Sequence, residues 1–407
     1  MATGNRKQGK KKITLALQGG GSHTAYAWGV IDLLLQKDDL DIVAVSGTSG
    51  GAMIAAVMAY GLSIERDASG RLLDDASRRA QARELLAKFW QRVSTLGDLF
   101  WNPFRFVANP LHRSWNIDGM PIPLLLHAMS LIMSPYQSSL SPRQNPVALA
   151  LTDCIDFDVL RSSKTGPALY VTATTVRTNQ QKIFSKEEIH IPHLLASACL
   201  PVVDRAVQIG DEYYWDGGYV ADPALMPLIT HHRDVTNDMV IVGVNPIVVE
   251  PDMVPPNTSW EIIDRINEIT FNASLIAEVK SIHEINELLD QVPPSAMAKQ
   301  PGGKLHGKEK ILIHYIPPHM EMAGLGVASK SNTAMPFLDH LYGLGQDVAR
   351  AWYAGDLEGG GAPLIGKSSD TNLVRLFIDP HYADAPTIPR SLLGAHTTQG
   401  IALATTS

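Results

Sequence analysis

Two short apolar runs near the start of the chain each end in a cluster of glycines and pass at once into a helical pattern: "ITLALQGGGSHTAYAWGVIDLL" from Ile13 and "VAVSGTSGGAMIAAVMAY" from Val43. The runs are continuous rather than alternating, which is the pattern of strands buried on both faces. Runs of the same kind recur at Leu169–Thr174, Met239–Val244 and Ile311–Ile316. Helical patterns lie between them, over Ala25–Leu35, Ala52–Gly61 and Trp260–Leu289, the last with apolar residues at Ile263, Ile266, Ile269, Ala273 and Ile276. Strands that alternate with helices predict an α/β fold in which a mostly parallel central sheet is flanked by helices. No internal repeat interrupts this order.

Composition narrows the partners. The 407 residues are 45% hydrophobic and 18% charged, enough for a sizeable core. A formal charge of −7 gives no reason to expect nucleic acid. The two cysteines, Cys154 and Cys199, make neither a disulfide framework nor a metal-ligand spacing, and read as small buried hydrophobes. No stretch approaches the ~18 consecutive apolar residues of a membrane span, so a soluble, cytoplasmic protein is expected. Residues 1–11 read as a basic disordered arm, in which Arg6, Lys7, Lys10 and Lys11, with Lys12 beyond it, offer peripheral contact with anionic headgroups. Residues 12–354 read as one catalytic domain and 355–407 as a linker and tail. Within the domain, the proline-rich stretch 102–146 is a candidate lid or substrate-groove insertion.

Three segments carry chemistry. In the first, Gly19, Gly20, Gly21 and Ser22 follow a strand, so backbone N–H groups face whatever lies in front of the turn. A phosphate cradle and an oxyanion hole both need that geometry, and an unliganded tight turn explains it as well. The dinucleotide fingerprint fits poorly: Thr24 stands where its last glycine belongs and the pair Asp38–Asp39 comes early. No Gly-Lys-Ser/Thr follows, so a P-loop is excluded. In the second, Gly47-Thr48-Ser49-Gly50-Gly51 satisfies G-x-S-x-G, with a strand before and a helix after. Ser49 is therefore a candidate nucleophile at the positive end of a helix.

A serine nucleophile needs a base. His231, His283, His314, His340 and His381 are available, but none lies in a segment with its own catalytic signal. The third segment, "YYWDGGYVADPALMPLI", places Asp216 after two tyrosines and a tryptophan and before Gly217 and Gly218. An apolar surround raises a carboxylate's pKa and makes it a stronger base. Alone, Asp-Gly-Gly reads as a plain turn.

The three segments in this order, with "LLASACLPVVDRAVQIGDEYYWDGG" between the last two, resemble the patatin-like phospholipase family and its bacterial members in particular. The likeness covers about residues 12–290 and continues to about Ala354. It implies the family's three-layer fold and a Ser–Asp dyad in place of a triad: Ser49 as nucleophile, Asp216 as general base, and an oxyanion hole at Gly19, Gly20, Gly21 and Ser22, with Gly47, Gly50, Gly51, Gly217 and Gly218 as motif support. It implies no cofactor and no metal. The expected partner is a lipid ester substrate, phospholipid or other, with peripheral membrane contact possible and the oligomeric state unspecified. Two positions depart from the family's Gly-Gly-Gly-x-Arg-Gly turn: His23 and Thr24 replace the arginine and the last glycine, which bears on recognition of an anionic headgroup. The apolar residues of Met120–Met133 are too widely spread for a one-faced helix, so that segment is either fully buried or a lid that meets lipid. The alternatives are a short-chain carboxylesterase with the same dyad, a histidine-dependent hydrolase, and a lipid- or nucleotide-binding protein that would not react at Ser49.

Overall fold

The computed structural model describes residues 9–99, 115–117, 134–136, 145–201, 203–248, 255–293, 309–355, 365 and 375–378. In chain order the elements are β1 (Lys11–Leu17), α1 (Ala25–Leu35), β2 (Leu40–Thr48), α2 (Gly50–Ser63), α3 (Asp75–Leu99), α4 (Pro146–Cys154), α5 (Phe157–Ser162), β3 (Ala168–Thr175), β4 (Gln180–Ser185), α6 (Ile191–Ser197), β5 (Val207–Ile209), β6 (Glu212–Asp216), α7 (Met226–His232), β7 (Asp238–Val242), α8 (Ser259–Gln291), β8 (Leu312–Ile316) and α9 (Met335–Ala354). The segment Met120–Met133, His381, and most of the arm, insertion and tail expected from sequence lie outside the described residues.

The sheet runs β5-β6-β3-β2-β1-β7-β8, with β4 paired to the other side of β3. Its centre is parallel: β2 and β7 both pair with β1, β3 with β2, and β8 with β7. The antiparallel strands gather at β3, which takes β4 and β6. Burial follows the continuous apolar runs. β7 is buried at every position and β1 over its last five.

Helix α1 is buried along its whole length, which fits its lack of a polar face. It lies against α9 through two glycines. A Cβ on Gly29 would stand 2.0 Å from the Tyr342 carbonyl oxygen, and one on Gly345 would stand 2.0 Å from the Tyr26 carbonyl oxygen. The one carboxylate in α1, Asp32, is fully answered: Arg83 Nε at 2.8 Å, Tyr342 Oη at 2.9 Å and Gln346 Nε2 at 2.7 Å. Buried charge without such partners is strongly destabilising, so this cluster fixes α1, α3 and α9 together.

Helix α3 was not among the sequence expectations. It buries Ala82, Leu86, Phe89, Trp90, Val93 and Leu96, a spacing of three and four that marks one helical face. Both cysteines are buried and free. Burial pushes the Cys154 thiol up to about 11 and that of Cys199 up to about 12, so neither is a thiolate near neutrality.

Candidate active site

The turn that carries Ser49 is strained. Ser49 has φ 53° and ψ −126°, outside the regions a β-carbon readily allows, and it caps α2 with no side-chain hydrogen bond of its own. Its backbone N–H donates instead to Ser197 Oγ at 2.9 Å. The hydroxyl is thereby left free to face other groups, at the N-terminus of a helix of fourteen residues.

Sheet geometry brings Asp216 to that hydroxyl. On one edge of β3, Thr172 pairs with Thr48, the last residue of β2, and the next residue, Ala173, pairs with Asp216, the last residue of β6. Strand β2 is parallel to β3 and β6 antiparallel to it, so the two strands approach each other head-on and end on adjacent rungs. Ser49 and Asp216 are 167 positions apart in the chain yet stand at one break in the sheet. The Ser49 side chain stands near enough to the Asp216 carboxylate to help hold its pKa down. Asp216 is 1% exposed, and its Oδ1 also accepts from Gly218 N–H at 2.7 Å. The backbone is pinned too, with Asp216 N–H donating to the Cys199 carbonyl and Thr174 Oγ1 donating to the Asp216 carbonyl. Burial raises its pKa to about 6, against the pull of the Gly218 and Ser49 hydrogen bonds and the charge of Lys330.

The glycine turn after β1 lies alongside. At Gly19 a Cβ would come within 2.8 Å of the Ser49 Cβ, so only glycine lets the turn approach this closely. Gly21 has φ 56° and starts a 3-10 turn over Gly21–Thr24 that no side chain caps. One expected donor is already in use. Gly19 N–H is bonded to Asp222 Oδ1 at 2.6 Å, so the donors that remain for a developing oxyanion are those of Gly20, Gly21 and Ser22. Gly19 contributes shape instead.

The departures at positions 23 and 24 have local causes. His23 is buried, and its Nε2 lies 2.7 Å from Ser329 Oγ. Ser329 Oγ donates its own proton to the Gly326 carbonyl, so it must accept from His23, which fixes the Nε2–H tautomer. Burial first, and the nearby Lys330 charge second, hold the His23 pKa well below the ordinary histidine value. It is a neutral strut. Thr24 Oγ1 donates to the Gly21 carbonyl at 2.6 Å and fills the space against Gly50, where a Cβ would meet it at 2.6 Å.

Three of the histidines considered as a base are committed elsewhere. His314 bonds Asp238 at 2.7 Å, His340 bonds Glu321 at 3.0 Å, and His231 stacks on Tyr170. Four residues the sequence did not single out belong to this site: Ser197, Asp222, Asn245 and Gln18. Gln18 is fully buried; its Oε1 accepts from Val244 and Asn245 N–H, and its Nε2 donates to Asn272 Oδ1 at 2.8 Å. The position just before the glycine turn, and the Asn-Pro pair directly beyond β7, were the only signals of it in the sequence. A cavity of about 210 Å³ lies at the far end of β2, lined by Asp41, Ile42, Arg78 and Arg79, away from this chemistry.

The patatin-like phospholipase family profile matches residues 15–229, more than half of the chain. The chain belongs to the patatin-like phospholipase family. The family is one of lipid acyl hydrolases, and the match ends before β7, so Asn245, α8, Lys330 and α9 lie beyond it. Among solved structures, the crystal structure of VipD from Legionella pneumophila aligns over 84% of this chain and 72% of its own, at 15% identity and a TM-score of 0.27. No curated protein matches. Among the described residues no cluster of three metal-ligating side chains occurs, and no helix is long and apolar enough to cross a membrane.

Proposed function

We propose that this patatin-like protein hydrolyses lipid esters, phospholipids among them, through a Ser49–Asp216 dyad and an acyl-enzyme intermediate. The observation that carries the reading is the meeting of β2 and β6 on adjacent rungs of β3, which sets a strained serine against a buried carboxylate with a raised pKa. Ser49 Oγ attacks the ester carbonyl carbon while Asp216 takes its proton. The carbonyl oxygen becomes the oxyanion and accepts from backbone N–H groups at Gly20, Gly21 and Ser22. Collapse of the tetrahedral species breaks the bond to the alcohol oxygen, which leaves with the proton from Asp216. Water then attacks the acyl-Ser49 ester, giving a proton to Asp216, and the fatty acid departs as Ser49 regains its hydrogen. Each oxyanion donor in such a site is worth on the order of 2.7–4 kcal/mol.

An apolar rim supports a lipid substrate. Leu200 and Val203 are exposed directly beyond Cys199, whose carbonyl holds Asp216, and Tyr219 is exposed on the other side of the Gly217–Gly218 turn. The test is ester hydrolysis by wild type, Ser49→Ala and Asp216→Asn, on short p-nitrophenyl esters and on phospholipid vesicles, with thermal melts of all three. Both variants are expected to fold and to lose activity by roughly 10³-fold or more. A folded Ser49→Ala protein with full activity sinks the dyad. Turnover of short esters with none of vesicles would move the substrate to soluble esters.

A further inference from the structure

Beside the glycine turn stands a lysine to which neither the family match nor the proposed dyad gives a part. Lys330 belongs to a 3-10 turn, Val327–Ser331, a hundred residues past the matched region. Its main chain presses on the donor turn so closely that a Cβ on Gly21 would lie 2.5 Å from the Lys330 carbonyl oxygen. Its ammonium stands 5.7 Å over the ring of Phe271 and donates to Asn245 Oδ1 at 2.9 Å. Asn245 passes the contact on: its Nδ2 donates to the Gly19 carbonyl at 3.1 Å and lies 3.5 Å from Asp222 Oδ2. Asp222 Oδ1 in turn holds Gly19 N–H. Gly19 is thus gripped at both its N–H and its carbonyl by side chains that Lys330 organises, and Gly19 is the residue that touches Ser49.

We propose that Lys330 is the positioning residue of this site, fixing the donor turn against Ser49 through Asn245 and setting a positive charge beside Asp216. The inference rests on the dyad reading. The charged groups that face the ammonium come from every element packed around it. They are Glu268 and Asp264 on α8 and Asp222 and Asp216 after and at the end of β6, whose charges hold the Lys330 pKa up against the stronger lowering by burial; His23 beside it is neutral. Asp264 is already occupied with Val327 N–H and Glu268 with Arg265. For Asp216 and Asp222, Lys330 is the positive charge that opposes the upward push of burial. A neutral side chain at 330 therefore leaves the base protonated to higher pH and the donor turn unbraced.

The experiment follows kcat and KM for a neutral p-nitrophenyl ester over about pH 5–9. It uses wild type, Ser49→Ala, Lys330→Met, Lys330→Arg and Asn245→Ala, each checked by a thermal melt. A neutral ester keeps lipid-surface and headgroup binding out of the comparison. Lys330→Met is expected to lower kcat by about ten- to a hundredfold with little change in KM, and to move the acid limb upward. Lys330→Arg should restore the limb. Asn245→Ala, which cuts the relay but keeps the charge, should lower kcat and leave the limb near its wild-type place. A folded Lys330→Met with wild-type kcat and limb overturns the proposal, as does a limb equally unmoved in both lysine variants. Should Lys330→Met fail to fold, wild-type kcat in Asn245→Ala overturns it alone. Activity in wild type and its loss in Ser49→Ala uphold Ser49 as the nucleophile whatever Lys330 does, and loss in Asp216→Asn upholds the base; inert wild type removes both.

Discussion

The stretch matched by the family, residues 15–229, and the chain beyond it divide the work of this molecule unequally in kind. The first part holds the groups that would react: Ser49, Asp216 and the Gly20–Ser22 donors. Among the described residues, the second supplies side chains and helices that pack against or bond the first. Asn245 follows β7, Asn272 sits on α8, Ser329 and Lys330 occupy one 3-10 turn, and α9 meets α1 through paired glycines. A reactive group needs only its own side chain and a local turn. Alignment within a fraction of an ångström needs rigid partners from several elements. The comparison teaches that contacts to the glycine turn beside Ser49 continue well past residue 229, where the family match ends.

The sharpest way to break this division is inside the first part. Gly19→Ala places a methyl 2.8 Å from the Ser49 Cβ, 2.9 Å from the Thr48 carbonyl oxygen and 3.2 Å from Asp222 Oδ1. We expect hydrolysis to fall on the order of a hundredfold or more, because a 1 Å misplacement suffices for that loss, with a smaller drop in melting temperature than a methyl driven 2.0 Å from a carbonyl oxygen would cause. Near-normal kcat in a folded variant would show that the close approach of the two turns is unimportant.

The second part should fail differently. Gly345→Ala drives a methyl into the Tyr26 carbonyl at 2.0 Å, so α9 has to back away from α1. Overpacking of this kind costs about 1–3 kcal/mol, and denaturant unfolding should register it in full. Activity per folded molecule should fall much less than in Gly19→Ala. A large loss of kcat without loss of stability would place α9 among the reactive parts and erase the contrast.

The smallest effect concerns Asp216 and separates stability from function in one residue. Its folded pKa, about 6, lies above the ordinary carboxylate value, so the folded protein binds this proton more tightly than the unfolded chain. The stability gained from that proton is present at low pH and is lost as pH rises through about 6. Asp216→Asn should therefore melt a few degrees higher than wild type at pH values well above the folded pKa, with the gap closing as pH falls below it. Activity of the wild type should show the opposite sense, declining as pH drops through the same value because the base becomes protonated. A melting difference that does not change with pH would assign the burial of this carboxylate no electrostatic cost.

Much of the fold was legible along the chain, for a physical reason. Strands buried on both faces must be continuous in apolar residues, and Ile13–Leu17, Ile42–Ser46 and Met239–Val244 each fall within or across an observed strand. Helix α1 begins and ends where its pattern does. Helix α3 was legible in principle, since Leu86, Phe89, Trp90, Val93 and Leu96 repeat at helical spacing, but its many charged residues masked the stripe. The short antiparallel strands at β3 were harder to see. Gln180–Ser185 is mostly polar because β4 stands at an edge of the sheet.

What the sequence alone determined is the set of local devices: glycine clusters after two strands, a serine on one of them, and an Asp-Gly-Gly turn in an aromatic setting. These are legible because each is a solution to a local backbone problem, a sharp turn or a close approach, and local problems are written in adjacent residues. Only the tertiary structure decided that Ser49 and Asp216 share a break in one sheet edge. It also decided that Gly19 spends its N–H on Asp222, that His23 is a neutral strut, and that Lys330 reaches the turn through Asn245. Those contacts join residues up to 306 positions apart. No periodicity or spacing encodes them, because they arise where independent elements are packed side by side by the burial of their apolar faces.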